Sequence, residues 1–166
     1  FRDELSISVH SPIFARYFLN LASTDLRTIK ESFDDCTRYL TDLGSDILFF
    51  HGFFMTDRPI PHDMKNYRKT IRAAIGDAYC LNNSFVMDPG IFDTEDYLRY
   101  KEIFRNNLTK VTAMYPGFTI ALENDFPLIG GGLQRPCEIH ELIDNLWFDL
   151  GHLWCASLVH GFDFYQ

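Results

Sequence analysis

No CxxC pair occurs in this chain, and its four cysteines, Cys36, Cys80, Cys137 and Cys155, lie far apart. In a domain of this size that spacing argues against a disulfide framework, so reduced, mostly buried thiols in a cytoplasmic protein are expected. No apolar run approaches the length needed to span a bilayer, and no charged segment followed by an apolar stretch opens the chain. A membrane partner and a secretory leader are therefore not expected. Basic runs and stripes are missing too: 15 Lys and Arg stand against 23 Asp and Glu, for a net charge of −8. That balance gives no support to sequence-independent attraction to a polyanion. Gly130, Gly131 and Gly132 are not followed by the lysine of GxxxxGK[ST], the GxGxxG spacing is absent, and Ser11 and Ser157 lack a GxSxG context. The glycine run is read as a flexible strand-to-helix loop, with admission of substrate as its alternative role. Low-complexity segments and interdomain linkers are also lacking.

What the chain does contain is apolar and aromatic. Its 166 residues are 46% hydrophobic and 16% aromatic, enough for one sizeable core and too few for two typical domains. Residues 1–166 are expected to form one domain or part of one. The chain opens at Phe1 on the approach to a strand, which suggests a fragment or a processed piece.

Strand and helix signals alternate. Leu5 to Val9 (LSISV) alternates apolar and polar, and His10, Ser11 and Pro12 end it. Ser23, Thr24 and Asp25 supply an N-cap, after which Leu26, Ile29, Phe33, Cys36, Leu40 and Leu43 recur at helical spacing up to a glycine cap at Gly44. Ile47 to Phe50 (ILFF) is a continuous apolar run, as expected of a parallel strand covered on both faces, and it stops at His51 and Gly52. A helix is predicted from about His62 to Ile75. Turn residues leave 76–93 without an assignment. Asp93 or Thr94 caps a long helix ended by Pro116 and Gly117. FTIALEND then reads as a buried strand stopping at Glu123, PCEIHELIDN as a short helix, LWFDLGH as an apolar run stopping at Asp149, and the tail as short helical or irregular chain.

This alternation implies parallel strands with right-handed crossovers. The strands are too few for a closed barrel, which uses eight strands and about 250 residues. An open sheet or part of a barrel follows. His10, His51, Glu123 and Asp149 occupy equivalent places after successive strands, and His152 follows in the next loop. In a parallel sheet these positions share one rim, where imidazoles and carboxylates converging on one point form a site for zinc, manganese or a similar divalent ion. Each residue has a plainer reading: a hydrogen-bonded loop histidine, a turn-capping Glu123, an N-capping Asp149. Their coincidence at every strand end favours the metal. His62 and His140 are read as surface or packing residues, and the phenylalanines, Phe49, Phe50, Phe53 and Phe54 among them, mostly as core, with those just beyond His51 also able to wall an apolar pocket.

VHSPIFARYFLNLAS, the helix after it and LGSDILFFHGF resemble the second and third strand units of the xylose isomerase-like TIM barrels. ALEND resembles that superfamily's metal-binding glutamate strand, and FDLGH its D-x-x-H motif. The resemblance covers nearly the whole chain and implies an α/β fold: a parallel (β/α) barrel of TIM type, incomplete here, with about four to five βα units. The superfamily includes sugar-phosphate isomerases and epimerases and nucleases of the endonuclease IV type. It implies Glu123 and Asp149 as metal ligands in both branches. In the nuclease branch His10, His51 and His152 would also bind zinc; in the isomerase branch His152 would contact substrate oxygens and Glu123 would double as acid/base. Two departures stand out. Gly52 replaces the nuclease pattern's proline, and DFPLIGGG replaces its small-residue motif; the later strands that supply further ligands are absent from this chain.

The leading expectation is a divalent-metal (Mn or Zn) isomerase or epimerase that moves a proton α to the carbonyl of a small-molecule sugar or sugar phosphate, with Glu123 and His152 as catalytic residues. The first alternative is an endonuclease IV-like zinc-dependent phosphodiesterase acting at abasic sites, the one reading with a nucleic-acid partner. The second is a non-catalytic binding module with an incomplete site. Oligomer formation is compatible with all of them.

Overall fold

The computed structural model of the chain describes residues 8–10, 17–77, 79–80 and 86–165. Four strands, β1 (Ser8–His10), β2 (Ile47–Phe50), β3 (Thr119–Glu123) and β4 (Leu146–Trp147), form one sheet in the order β1-β2-β3-β4, with every neighbouring pair parallel. Helix α1 (Leu26–Leu43) joins β1 to β2, α2 (Met64–Ile75) and α3 (Glu95–Met114) lie between β2 and β3, α4 (Pro136–His140) links β3 to β4, and α5 (Leu150–His160) follows β4. The α/β expectation of parallel strands alternating with helices therefore holds. Strand order advances in one direction, as in a (β/α) barrel, without the reversal that defines a doubly wound sheet.

The helices begin where their caps dictate. Asp25 Oδ1 accepts from the N–H groups of Arg27 (3.1 Å) and Thr28 (3.3 Å), opening α1, and Gly44 at φ +70° closes it in the left-handed conformation that favours glycine. Asp63 caps α2, so that helix starts just beyond His62, and Thr94 caps α3. The unassigned stretch contains a 3-10 turn at Pro89–Asp93. Leu5, Ser11 and Pro12 lie outside the described residues, and the strand expected to run to Asp149 is confined to Leu146–Trp147 because Asp149 instead starts a helix. Among the described residues no helix is long and apolar enough to cross a membrane.

The register divides the sheet into two faces. Val9, Leu48 and Ile120 are aligned across three strands and Phe50 and Leu122 across two, and all five join one core with Ile29, Phe33 and Leu40 of α1 and Phe104, Leu108 and Val111 of α3. The alternate row, His10, Phe49 and Ala121, with Glu123 two residues on, therefore points to the opposite face. There Phe49 of β2 and Trp147 of β4 stack across β3 with centroids 4.3 Å apart and planes 8° from parallel. Phe49 is thus not a core residue, whereas Phe50, Phe53 and Phe54 are buried as expected.

The glycine run is the opposite of a flexible loop. Residues 129–134 are buried, Gly132 N–H donates to Phe53 O (2.6 Å), and Met55 N–H donates to Gly130 O (2.9 Å), fastening the run to the segment after β2. A Cβ on Gly132 would lie 2.5 Å from the Phe53 ring; one on Gly130, at φ +78°, would lie 2.5 Å from Ile71 Cγ2. Glycine is present there for close packing. The cysteines are free of disulfides, but only Cys36 is buried; Cys80 and Cys155 are half-buried and Cys137 is exposed.

A buried polar network holds the chain between β3 and α4. Glu138 accepts from Tyr97 Oη (3.1 Å), Lys101 Nζ (3.2 Å) and Arg135 Nε (3.1 Å), while Tyr97 Oη accepts from Leu133 N–H (3.2 Å). Burial pushes the Glu138 carboxyl up, and the hydrogen bond and charge of Arg135 with the charge of Lys101 outweigh it, leaving it below 4.5.

Two stability measurements follow from this packing. Gly130→Ala is expected to destabilise by about 3 kcal/mol through overpacking and backbone strain, and Gly117→Ala, where nothing lies within 4 Å of the added methyl, to be near neutral; urea midpoints check both. Glu138→Gln is expected to lose about 2 kcal/mol at pH 7. Because the folded carboxyl titrates below its unfolded value of 4.5, its contribution is present above that pH and fades as pH falls through the folded value. The wild-type advantage over Glu138→Gln should therefore shrink in urea titrations at progressively lower pH.

Candidate metal centre

Parallel strands that end together deliver their terminal side chains to one rim. His10 is the last residue of β1, His51 follows β2 directly, and Glu123 is the last residue of β3. All three fall on the face opposite the helices, and the structure brings them into contact: His10 Nε2 lies 3.2 Å and His51 Nε2 3.9 Å from Glu123 Oε2, with the two rings 4.7 Å apart. The edge of His10 packs on Phe49 at 4.9 Å.

The D-x-x-H segment reaches the same point by capping. Asp149 is the N-cap of α5, and its Oδ1 accepts from the backbone N–H of His152 at 2.8 Å, the three-residue spacing that an N-cap hydrogen bond requires. That bond, opposed by slight burial and helped by the charge of His152, lowers the Asp149 pKa. Capping and clustering coexist, since Glu123, Asp149 and His152 each offer a ligand-type atom within 4.8 Å of the others. His152 Nδ1 lies 2.9 Å from Asn124 O, which can only accept, so Nδ1 carries a hydrogen; the same nitrogen lies 3.6 Å from Glu123 Oε1.

All five residues singled out in the sequence thus meet around Glu123, in two donor triads that share it: His10, His51 and Glu123, and Glu123, Asp149 and His152. The remaining histidines lie elsewhere. His62 is exposed with its ring 4.3 Å from Phe18, His140 is exposed at the end of α4, and His160 Nε2 contacts Gln134 Oε1 at 2.9 Å.

The sequence reading missed three contributors. Asn124, fully buried, forms a reciprocal pair with Asp149: Asn124 Nδ2 donates to Asp149 O and Asp149 N–H donates to Asn124 Oδ1, both at 2.8 Å. This pair fastens the end of β3 to the start of α5. Asp125 is buried beside His51, with Oδ1 3.4 Å from Nδ1. Trp147 supplies half of the aromatic floor. The signal for the first two was present in ALEND, two further polar residues directly after a strand-ending glutamate.

Burial dominates the electrostatics. It pushes the His51 imidazole down to about 4, opposed by Glu123 and reinforced by His10 and His152. It pushes the Asp125 carboxyl up to about 8, against a hydrogen bond from Phe126 N–H and with the Glu123 charge adding to the rise. Glu123 Oε2 is buried and, despite the imidazoles beside it, has no hydrogen bond of acceptable alignment. A buried carboxylate oxygen without a hydrogen bond is costly unless a cation meets it. The donor set of imidazole nitrogens and carboxylate oxygens, with no thiol in either triad, suits a divalent ion of borderline to hard character.

No protein-family model and no curated protein matches the chain. Among solved structures it is similar to a D-tagatose 3-epimerase-like protein, with 22% sequence identity and a TM-score of 0.49, over 91% of this chain and 47% of that one. The chain spans about half the length of that structure, and the reading of the site rests on its own geometry.

Asn124→Ala removes one side of each Asn124–Asp149 hydrogen bond and should destabilise by about 2 kcal/mol. Hydrogen exchange is expected to accelerate selectively at the first turn of α5, including the His152 amide. Unchanged protection there would show that the pair does not hold the helix start.

Proposed function

We propose that the chain carries the centre of a divalent-metal enzyme that moves a proton α to the carbonyl of a sugar or polyol-like substrate, an isomerase or epimerase. The single observation carrying this reading is the convergence of His10, His51, Asp149 and His152 on the buried, hydrogen-bond-free Oε2 side of Glu123 or on its partner oxygen. His10, His51, Glu123 and Asp149 would hold the ion, manganese or zinc by donor type. The chemistry a bound ion supplies at such a donor set is polarisation of a carbonyl oxygen, which acidifies the neighbouring C–H.

The chain's own groups account for the proton traffic. Glu123 receives the carbon-bound proton and returns it to the adjacent carbon on the same face, so the C–H bond broken in one half of the reaction is re-formed in the other without any change in oxidation level, while the inversion of an epimerase would need a second acid on the opposite face. His152, with Nδ1 held by Asn124 O, has Nε2 as its remaining ring nitrogen, which in the neutral form would accept from a substrate hydroxyl. Phe49 and Trp147 offer an aromatic surface on the same sheet face, suited to the apolar C–H side of a sugar ring.

One observation favours a second reading. Two triads sharing one glutamate are a donor arrangement for two ions, as used in two-metal phosphodiester hydrolysis. The net charge of −8 and the aromatic surface of Phe49 and Trp147 weigh against a polyanionic substrate. The small carbonyl compound is therefore preferred.

Metal stoichiometry after zinc or manganese loading, followed by two assays, tests the choice. One ion per chain and deuterium exchange at the α-carbon of a ketose in D2O, both lost in Glu123→Gln, are expected. Two tightly held zinc ions with nicking of abasic DNA would establish the hydrolase instead. Absence of metal uptake, with ligand binding unaffected by Glu123→Gln, would leave a binding module and end the enzymatic reading.

A further inference from the structure

We propose that Asp125 is the positioning residue of His51: its Oδ1 accepts from Nδ1–H, which keeps Nε2 free of hydrogen and aimed at Glu123. The inference rests on the proposed metal centre for its purpose, though not for its geometry.

An imidazole can offer Nε2 as a donor atom in its neutral form only if the hydrogen resides on Nδ1, and a buried Nδ1–H needs an acceptor. His152 obtains one from Asn124 O at 2.9 Å. His51 Nδ1 is buried without a formed hydrogen bond, and the acceptor beside it is Asp125 Oδ1 at 3.4 Å, a few tenths of an ångström longer than an ordinary N–H···O bond. Its other nitrogen, Nε2, faces Glu123 Oε2 at 3.9 Å. The Asp125 carboxyl is itself buried, with Oδ2 also lacking a partner. Oδ1 keeps an acceptor lone pair whether or not Oδ2 carries a proton, so the role does not depend on the charge of Asp125.

The surroundings hold this carboxyl in place. Asp125 N–H donates to Leu133 O at 3.2 Å, and the glycine run closes over the side chain so tightly that a Cβ on Gly131 would stand 3.1 Å from Oδ2. Three consecutive residues at the end of β3 therefore divide the work around the centre: Glu123 lies at its middle, the Asn124 carbonyl sets the tautomer of His152, and the Asp125 carboxyl sets that of His51.

The tautomer is measurable without any metal. In histidine-labelled protein, long-range 1H–15N spectra should show His51, identified by its loss in His51→Gln, with the hydrogen on Nδ1. Asp125→Asn retains an acceptor oxygen and should preserve that tautomer, whereas Asp125→Leu, which has none, should shift it to Nε2–H. In zinc competition titrations Asp125→Leu should lose about 10–100-fold in affinity, the usual effect of removing a ligand's supporting partner, and Asp125→Asn should stay close to wild type. A wild-type His51 with its hydrogen on Nε2 would overturn the proposal, as would a folded Asp125→Leu that keeps the Nδ1–H tautomer or the wild-type zinc affinity. If Asp125→Leu does not fold, the wild-type and Asp125→Asn spectra decide. A chain that shows the expected tautomers yet takes up no metal would sink the enzymatic reading and leave the Asp125–His51 assignment standing.

Discussion

The parallel register that sets Phe49 beside Ala121 and Phe50 beside Leu122 governs the rest of the structure. Side chains alternate across a strand, so a shift of one residue would turn Glu123 into the helical core and Leu122 onto the open face. The apolar row Val9, Leu48, Phe50, Ile120 and Leu122 prevents that slip, because its burial against α1 and α3 would be lost with it. Packing on one face thereby holds the polar residues on the other, where Phe49 and Trp147 stack.

Placing Glu123 and Asp125 in a buried setting is unfavourable by itself, and Glu123 Oε2 and Asp125 Oδ2 are left without hydrogen-bond partners. Imidazoles from β1, from the end of β2 and from α5 stand around Glu123, while Asn124 ties α5 to β3 through backbone atoms. The loop leading away from the carboxylates is rigid for a related reason. A Cβ on Gly130 or Gly132 would clash with Ile71 or Phe53, one on Gly131 would press on Asp125, and the Tyr97–Glu138–Arg135–Lys101 network secures the loop's far end. Rigidity in the supporting shell is what a preorganised centre needs.

Much of this was legible in the chain. Caps and 3.6-residue periodicity located α1 and α3 within a residue or so, since Asp25, Gly44 and Thr94 act through hydrogen bonds to their own neighbours. Strand-ending polar residues marked His10, His51 and Glu123 because a parallel sheet aligns strand ends by construction. The glycine run misled: local chemistry makes glycine look permissive, and the requirement for close packing comes from Phe53 and Ile71, dozens of residues away. The expected burial of the cysteines failed for similar reasons, since Cys137 and Cys155 sit on helix faces whose exposure no local pattern announced.

Sequence alone determined the alternating elements, the parallel sheet they imply and the residue types gathered at its rim, because those follow from short-range periodicity, capping and the pairing rules of strands. Tertiary structure decided which of the six histidines face Glu123, that Asp149 caps α5 while joining the cluster, and that Asn124 and Asp125 stand behind His152 and His51. Those are distances between atoms separated by up to 113 positions, from His10 to Glu123, and they arise from how the helices pack and how the loop folds back, which no local spacing encodes.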